Sequence, residues 1–272
     1  MELENVSDKE IVEEVLKILN IKYENHKYFN DGATSRVILL NNVYLIKQNS
    51  NLEAEVEFFK YNKFDNFQKV IYAHQNLKYV VYDFLEGEVM KDVDDPSDTI
   101  NKIIEITSNY ANYDKEGYGY YLERVPTWHE FLMDEIESSS KNIKEYIKDA
   151  DFVNRCADVL KEYKFTKKII HGDFGTHNFI KRNGKMIGVI DPDTVIGDPL
   201  YDTLFAIVCN VDILQTVTFD DICNLINEDR RKIFAMLVIV LYSRISRCLK
   251  FHKEDIDVYM NYWNHLEKIF SI

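Results

Sequence analysis

Basic residues are in short supply in this chain: 33 lysines and arginines stand against 46 aspartates and glutamates, a formal net charge of -13. A surface of that sign excludes nucleic acid as a natural partner, because phosphate backbones need a basic footprint. It steers cationic small molecules inward and also serves solubility. Cysteine is scarce too. Cys156, Cys209, Cys223 and Cys248 form no CxxC pair and match no metal-ligand spacing. A chain of this length needs no disulfides for stability, so buried free thiols in a reducing cytoplasm are expected. No apolar run approaches the roughly 20 residues of a membrane span. Met1-Glu2-Leu3-Glu4 opens the chain without the basic region and apolar stretch of a secretory signal. The expectation is a cytoplasmic monomer with no membrane partner. Only four prolines and nine glycines punctuate 272 residues, which leaves little room for long disordered stretches. What is abundant is core-forming material. At 46% hydrophobic, the chain suffices for one large domain or two modest ones.

The pattern changes character along the chain. Ile11, Val15 and Ile18 recur at helical spacing and predict a helix over 8–19. Strands follow: Arg36–Leu40 and Val43–Lys47 flank Asn41-Asn42, which reads as a hairpin turn. Residues 51–64 read as helix, with Leu52, Val56 and Phe59 on one stripe, and 70–73 and 79–84 read as strands. Gly87, in Leu85-Glu86-Gly87-Glu88, frees the backbone after the last strand, and a boundary between 1–86 and 87–272 falls there. Beyond it the pattern is mostly helical. Helices are predicted around 100–107, over 128–137, over 141–162, around 234–245 and around 259–270, with a strand-loop-strand unit from Ile169 to Ile190. The expected fold class is α+β, with a small sheet-rich first part and a larger helical second part.

The stretch His171-Gly172-Asp173-Phe174-Gly175-Thr176-His177-Asn178 lies between two apolar runs, and Asp191 follows after the turn Lys181–Lys185 and the run Met186–Ile190. Read singly, Asp173 caps a turn and Asn178 closes it. Read together, an Asp, an Asn five residues on, and a second Asp after a hairpin supply what phosphoryl transfer needs. One carboxylate orients the attacking hydroxyl and takes its proton, and hard oxygen ligands hold Mg²⁺ against phosphate oxygens. Asp173 is the candidate base; Asn178 and Asp191 are the candidate metal ligands. Lys47 ends an apolar run, as a phosphate-pairing amine would, and Glu53 on the next helix is its expected partner, with Glu57 one turn on and Glu55 on another face. The full G-x-G-x-x-G phosphate loop is absent. Gly32 stands alone, and Thr34 and Ser35 are the hydroxyl donors offered in its place.

These residues resemble the aminoglycoside phosphotransferase family, antibiotic kinases related to choline kinases and protein kinases. The resemblance rests on His171-Gly172-Asp173…Asn178, Ile190-Asp191, Gly197-Asp198-Pro199…Asp202, Lys47 and Glu53, and Tyr82-Asp83-Phe84-Leu85-Glu86-Gly87. Within it, the stretch His171–Asn178 and the closing helices resemble the hygromycin-type enzymes. Pro192 departs from the family, many of whose members carry Trp after the metal-binding Asp. The resemblance implies a protein-kinase-like bilobal fold: 1–86 a nucleotide-binding lobe, 87–272 a helical lobe with the catalytic loop and acceptor site. It implies ATP or GTP as donor, Mg²⁺ as cofactor, Lys47 on the α and β phosphates held by Glu53, and Tyr82, Asp83, Phe84 and Leu85 lining the base. The implied acceptor is a small cationic hydroxyl-bearing compound of the aminoglycoside type. Candidate contacts to its amines are Asp134, Glu135, Glu137, Glu228, Asp229, Glu254, Asp255 and Asp257. Asp202 is expected to brace the catalytic loop. Kinases of choline, homoserine, an amino sugar or a macrolide, and a non-catalytic kinase-like binding protein, are the alternatives.

Overall fold

The computed structural model describes residues 6–29, 35–147, 150–251 and 253–270. The chain divides into two compact units, Met1–Glu86 and Gly87–Ile272.

In the first unit, helix α1 (Val6–Leu19) lies against an antiparallel sheet with strand order β1-β2-β3-β5-β4: β1 (His26–Phe29), β2 (Arg36–Leu40), β3 (Tyr44–Gln48), β4 (Val70–Ala73), β5 (Val80–Asp83). Ile11, Val12 and Val15 from α1 form one core with Ile38, Leu40, Ile46, Tyr79 and Val81, so the predicted helical stripe meets one sheet face. Asn41 and Asn42 both adopt left-handed backbone (φ 54° and 56°), and Val43 N–H donates to Leu40 C=O at 3.1 Å. That is the turn whose twist matches a hairpin, and asparagine tolerates it where branched residues do not. Helix α2 (Leu52–Tyr61) buries Leu52, Ala54, Glu55, Phe58 and Phe59.

The second unit opens with β6 (Glu88–Val89), which joins the hairpin β10 (Phe179–Arg182) and β11 (Lys185–Val189) in a sheet ordered β11-β10-β6. A Cβ on Gly87 would stand 2.6 Å from both Ile180 Cγ2 and the Lys181 carbonyl, so it is close approach to β10 that requires glycine there. A second sheet, ordered β8-β7-β12-β9, joins β7 (Tyr118–Tyr120), β8 (Glu123–Val125), β9 (Lys168–Ile170) and β12 (Val195–Gly197). The helices are α3 (Pro96–Ser108), α4 (Trp128–Ile143), α5 (Ala150–Leu160), α6 (Pro199–Cys209), α7 (Val211–Thr216), α8 (Phe219–Leu225), α9 (Arg230–Phe251) and α10 (Ile256–Phe270). Helix α9 is the hub, buried on all sides through its middle and packed against α4, α5, α6 and α10. Among the described residues no helix is long and apolar enough to cross a membrane.

The α+β class, sheet-rich first and helical second, is the one the sequence predicts. The predicted helix over 141–162 is not continuous: α4 runs on to Ile143 and a separate α5 starts at Ala150. Both pack on α9, and that shared support replaces the glycine or proline that would have marked the break. Strands β1, β6, β7, β8 and β12 and helices α6 to α8 carry no expectation from the sequence.

Candidate active site

Asp173 belongs to a loop whose backbone is fixed from several directions. Gly172 has φ 80°, and a Cβ there would lie 2.4 Å from the Asp193 carbonyl. Only glycine lets the loop pass that carbonyl so closely. Asp202, fully buried on α6, accepts from the His171 N–H (2.7 Å) and the Gly172 N–H (3.1 Å), so it braces the loop. Asp198 caps α6 by accepting from the Leu200 N–H and also accepts from buried Lys232 Nζ at 3.1 Å. The 198–202 segment is thus structural support for the loop. Phe174 anchors the loop's underside, edge-on to Phe179 at 4.8 Å between ring centres.

His171 is wholly buried, and both its ring nitrogens are engaged. Nε2 donates to the Ile190 carbonyl at 2.9 Å, and Nδ1 accepts from the Asp173 N–H at 3.3 Å. Burial drives its pKa down to about 4, against the pull of Asp173. A proton on Nδ1 would also set one N–H against another. The neutral imidazole therefore contributes stability in full above the ordinary value of 6.5, and that contribution is lost as the pH falls through about 4. An NMR titration should find His171 unprotonated at pH 5; a midpoint near 6.5 would contradict the assignment.

The Asp173 carboxylate accepts from His177 Nε2 (3.0 Å) and Asn178 Nδ2 (3.0 Å) through Oδ2, and from Arg247 Nη1 (3.3 Å) through Oδ1. Burial pushes this carboxyl up. The His177 hydrogen bond and the charges of His177 and Arg247 outweigh it and hold the group well below the usual carboxylate range. Arg247 in turn stays protonated. Burial works against its charge, but Tyr201, Asp173, Tyr120 and Glu135 more than compensate.

Asn178 is buried and its Nδ2 is spent on Asp173, on both the backbone carbonyl (2.9 Å) and the carboxylate. That leaves Oδ1 as the atom for a cation. The Asn178 carbonyl accepts from the Ile190 N–H at 3.0 Å, which ties this residue to the one preceding Asp191. Asp191 is exposed and held in left-handed backbone, φ 61°. Two hard oxygen donors with the amide orientation already fixed fit a magnesium ion. Among the described residues no group of three or more His, Cys, Asp or Glu forms a metal cluster, so further ligands would come from water and substrate phosphates.

In the first unit, Lys47 Nζ pairs with Glu55 Oε1 at 2.7 Å, and not with Glu53. This corrects the sequence reading. Glu53 is exposed, while Glu55 lies on the buried face and also accepts from Asn49 Nδ2 (2.6 Å) and Tyr82 OH (3.0 Å). At 100° per residue, Glu55 stands about 60° from Leu52 and Glu53 about 100° away on the other side. Glu55→Ala should destabilise the protein by about 3–5 kcal/mol, because it removes the carboxylate from a buried ion pair. Glu53→Ala should stay within about 0.5 kcal/mol. Denaturant melts of the two variants make the comparison, and equal effects would refute it.

The other nucleotide candidates fare differently. Ser35 Oγ accepts from Asn49 Nδ2 at 3.2 Å, and Thr34 lies outside the described residues. Tyr82 is buried, its ring against Phe59 and its hydroxyl on Glu55, so its side chain belongs to the unit's core and does not line a base. Asp83 Oδ1 accepts from the Lys69 N–H at 2.6 Å, and Phe84 stacks on Phe29. Leu85 is half-buried.

Beside Asp173 lies a pocket of about 700 Å³ whose lining includes Lys91, Thr176, His177, Phe205, Arg244, Arg247, Phe251 and Asp255. Of the acidic residues offered for a polycationic acceptor, only Asp255 lines it. Glu135 faces Arg247 and Tyr120, Glu228 pairs with Lys232, and Asp229 accepts backbone N–H groups at the start of α9. The sequence reading gave no role to Arg247 or His177. His177 stood in the quoted loop. Arg247, 74 residues from Asp173, has no local signal at all.

A two-unit α+β fold with this loop defines a kinase-like phosphotransferase. The model of the phosphotransferase enzyme family matches residues 19–222, and the chain belongs to that family. It is a phosphotransferase enzyme. No curated protein sequence matches it. Among solved structures it is similar to aminoglycoside phosphotransferase APH(4)-Ia (TM-score 0.64, 14% identity, 95% of this chain and 98% of that one). A thermostable mutant of that enzyme, in ternary complex with AMP-PNP and hygromycin B, is similar at TM-score 0.63 and 15% identity (94% and 97% covered). So is a complex of an APH(2″)-type enzyme with GDP and kanamycin, at TM-score 0.56 and 15% identity (95% and 97% covered).

Proposed function

We propose that the protein transfers the γ-phosphoryl group of ATP or GTP to a hydroxyl of a small molecule bound beside Asp173. The observation that carries this reading is the Asp173–Asn178 loop: an ionised carboxylate with a buried amide locked against it. Asp173 orients the acceptor hydroxyl and takes its proton as the new O–P bond forms. The bond from the γ-phosphorus to the β-phosphate oxygen breaks, leaving a nucleoside diphosphate. Asn178 and Asp191 would hold Mg²⁺, which neutralises charge on the phosphates. Lys47, held by Glu55, is the amine assigned to the phosphates. Residues 1–86 would then serve the nucleotide, and 87–272 the acceptor and the chemistry.

For the acceptor, an aminoglycoside is supported by the hygromycin B and kanamycin complexes of the solved relatives. A second reading, a kinase of a small metabolite, is favoured by the lysine and two arginines on the pocket wall. A coupled nucleotide-turnover screen over aminoglycosides, macrolides, choline and small hydroxy acids, each with ATP and GTP, separates these. Failure of both nucleotides to bind would defeat the phosphotransfer reading itself.

A further inference from the structure

The pocket beside Asp173 runs against the charge of the whole molecule. In a chain of net charge -13 its wall carries Lys91, Arg244 and Arg247 against only Asp173 and Asp255. One of those two carboxylates is the proposed base, already in contact with Arg247. Arg244 precedes Arg247 by three residues on α9, so the two guanidinium groups rise from one helix face. Their partners differ. Arg247 divides its fork between Asp173 (3.3 Å) and Glu135 (3.9 Å). Arg244 spends only Nε, on the neutral Tyr259 hydroxyl at 3.0 Å, with its Cζ 5.3 Å from the centre of that ring. Among the described residues no carboxylate lies within ion-pair distance of Arg244 or of the Lys91 amine. The Tyr259 contact fixes the Arg244 plane and leaves both terminal nitrogens for a ligand, the arrangement that suits a two-oxygen anion.

We propose that the acceptor carries an anionic group, a carboxylate or a phosphate, which Arg244 binds while the neighbouring hydroxyl is presented to Asp173. The proposal rests on the phosphotransfer reading for the identity of the pocket, and it names the substrate class within that reading. A polycation would enter a wall that already holds three cations. An anion would find two ready donors on Arg244, with Lys91 among the residues lining the same pocket.

The test has two arms that fail separately. In the first, sulfate is titrated into wild-type protein, Arg244→Gln and Arg244→Lys at constant ionic strength with Mg²⁺·ADP present, and binding is read by calorimetry. Wild type should bind sulfate at least about tenfold more tightly than Arg244→Gln, with Arg244→Lys between them. Equal binding in wild type and Arg244→Gln overturns the proposal, whether or not any acceptor is turned over. ADP binding to wild type, measured alongside, reports on the phosphotransfer reading alone. In the second arm, phosphoryl transfer is measured to alcohols bearing a carboxylate, a phosphate, a primary amide or an amine, with kanamycin included. An anionic alcohol should be preferred, and the better of the two anionic classes names the group. Arg244→Gln should raise KM for it about tenfold or more with little change in kcat. Preference for kanamycin or an amino alcohol over every anionic compound overturns the proposal and leaves the phosphotransferase standing.

Discussion

Replacing Asp173 by Asn is expected to slow phosphoryl transfer about 10²–10⁴-fold, the usual contribution of a positioned general base, while nucleotide affinity barely changes. Asn keeps the shape of the side chain and one acceptor oxygen, so the contacts of Asp173 to His177, Asn178 and Arg247 are only partly lost. What disappears is the negative charge that receives the proton. Single-turnover transfer to the best acceptor, beside a nucleotide-binding titration, makes the measurement. Retention of more than about a tenth of the rate would remove Asp173 from the role. The pH profile adds a constraint. The carboxyl is held well below the usual range, so it stays ionised as the pH falls, and its protonation should not set the acid limb of the wild-type profile. Arg247→Gln should let that carboxyl rise, moving its loss of function to higher pH.

The 171–178 loop was legible in the sequence because its constraints are local. A glycine at a left-handed position, an Asp and an Asn five residues apart, and an Asn-Gly turn at 183–184 with φ 53° and 73° all fall within the short stretch from 172 to 184. The sheet-rich first unit was legible through the Asn41-Asn42 hairpin for the same reason. Helix α6 was not, because every residue from Leu200 to Cys209 is buried; a helix apolar on all sides offers no 3.6-residue period to find. Strands of three residues, such as β7, β8 and β12, are too short to show alternation. The Lys47 partner depended on helix phase. The apolar stripe through Leu52 and Phe59 points toward Glu55, and proximity along the chain led to Glu53 instead. Arg247 depended wholly on tertiary structure. A basic residue near the end of a long helix favours the helix dipole on any surface, and only the packing of α9 against α6 brings it to Asp173.

Asp191→Asn should raise the Mg²⁺ concentration needed for productive nucleotide binding by more than the about 10–100-fold that loss of an outer-shell partner produces. The choice of Asn follows from the backbone. Asp191 sits at φ 61°, where alanine carries a penalty on the order of 1–2 kcal/mol and Asn is among the few residues that visit the region routinely. Asp191→Ala would mix that strain with loss of the ligand; Asp191→Asn removes the charge alone. Asn178→Ala should act on the metal more mildly, because the amide oxygen brings no charge. It should also disturb Asp173, because the Nδ2 contacts to the Asp173 carbonyl and carboxylate go with it. The two ligands therefore leave different signatures. Excess Mg²⁺ should recover much of the rate of Asp191→Asn, and only part of that of Asn178→Ala. Mg²⁺ titrations of fluorescent-nucleotide binding and of single-turnover rate, run side by side on both variants, distinguish them. An unchanged apparent Mg²⁺ affinity in Asp191→Asn would sink its assignment as a ligand.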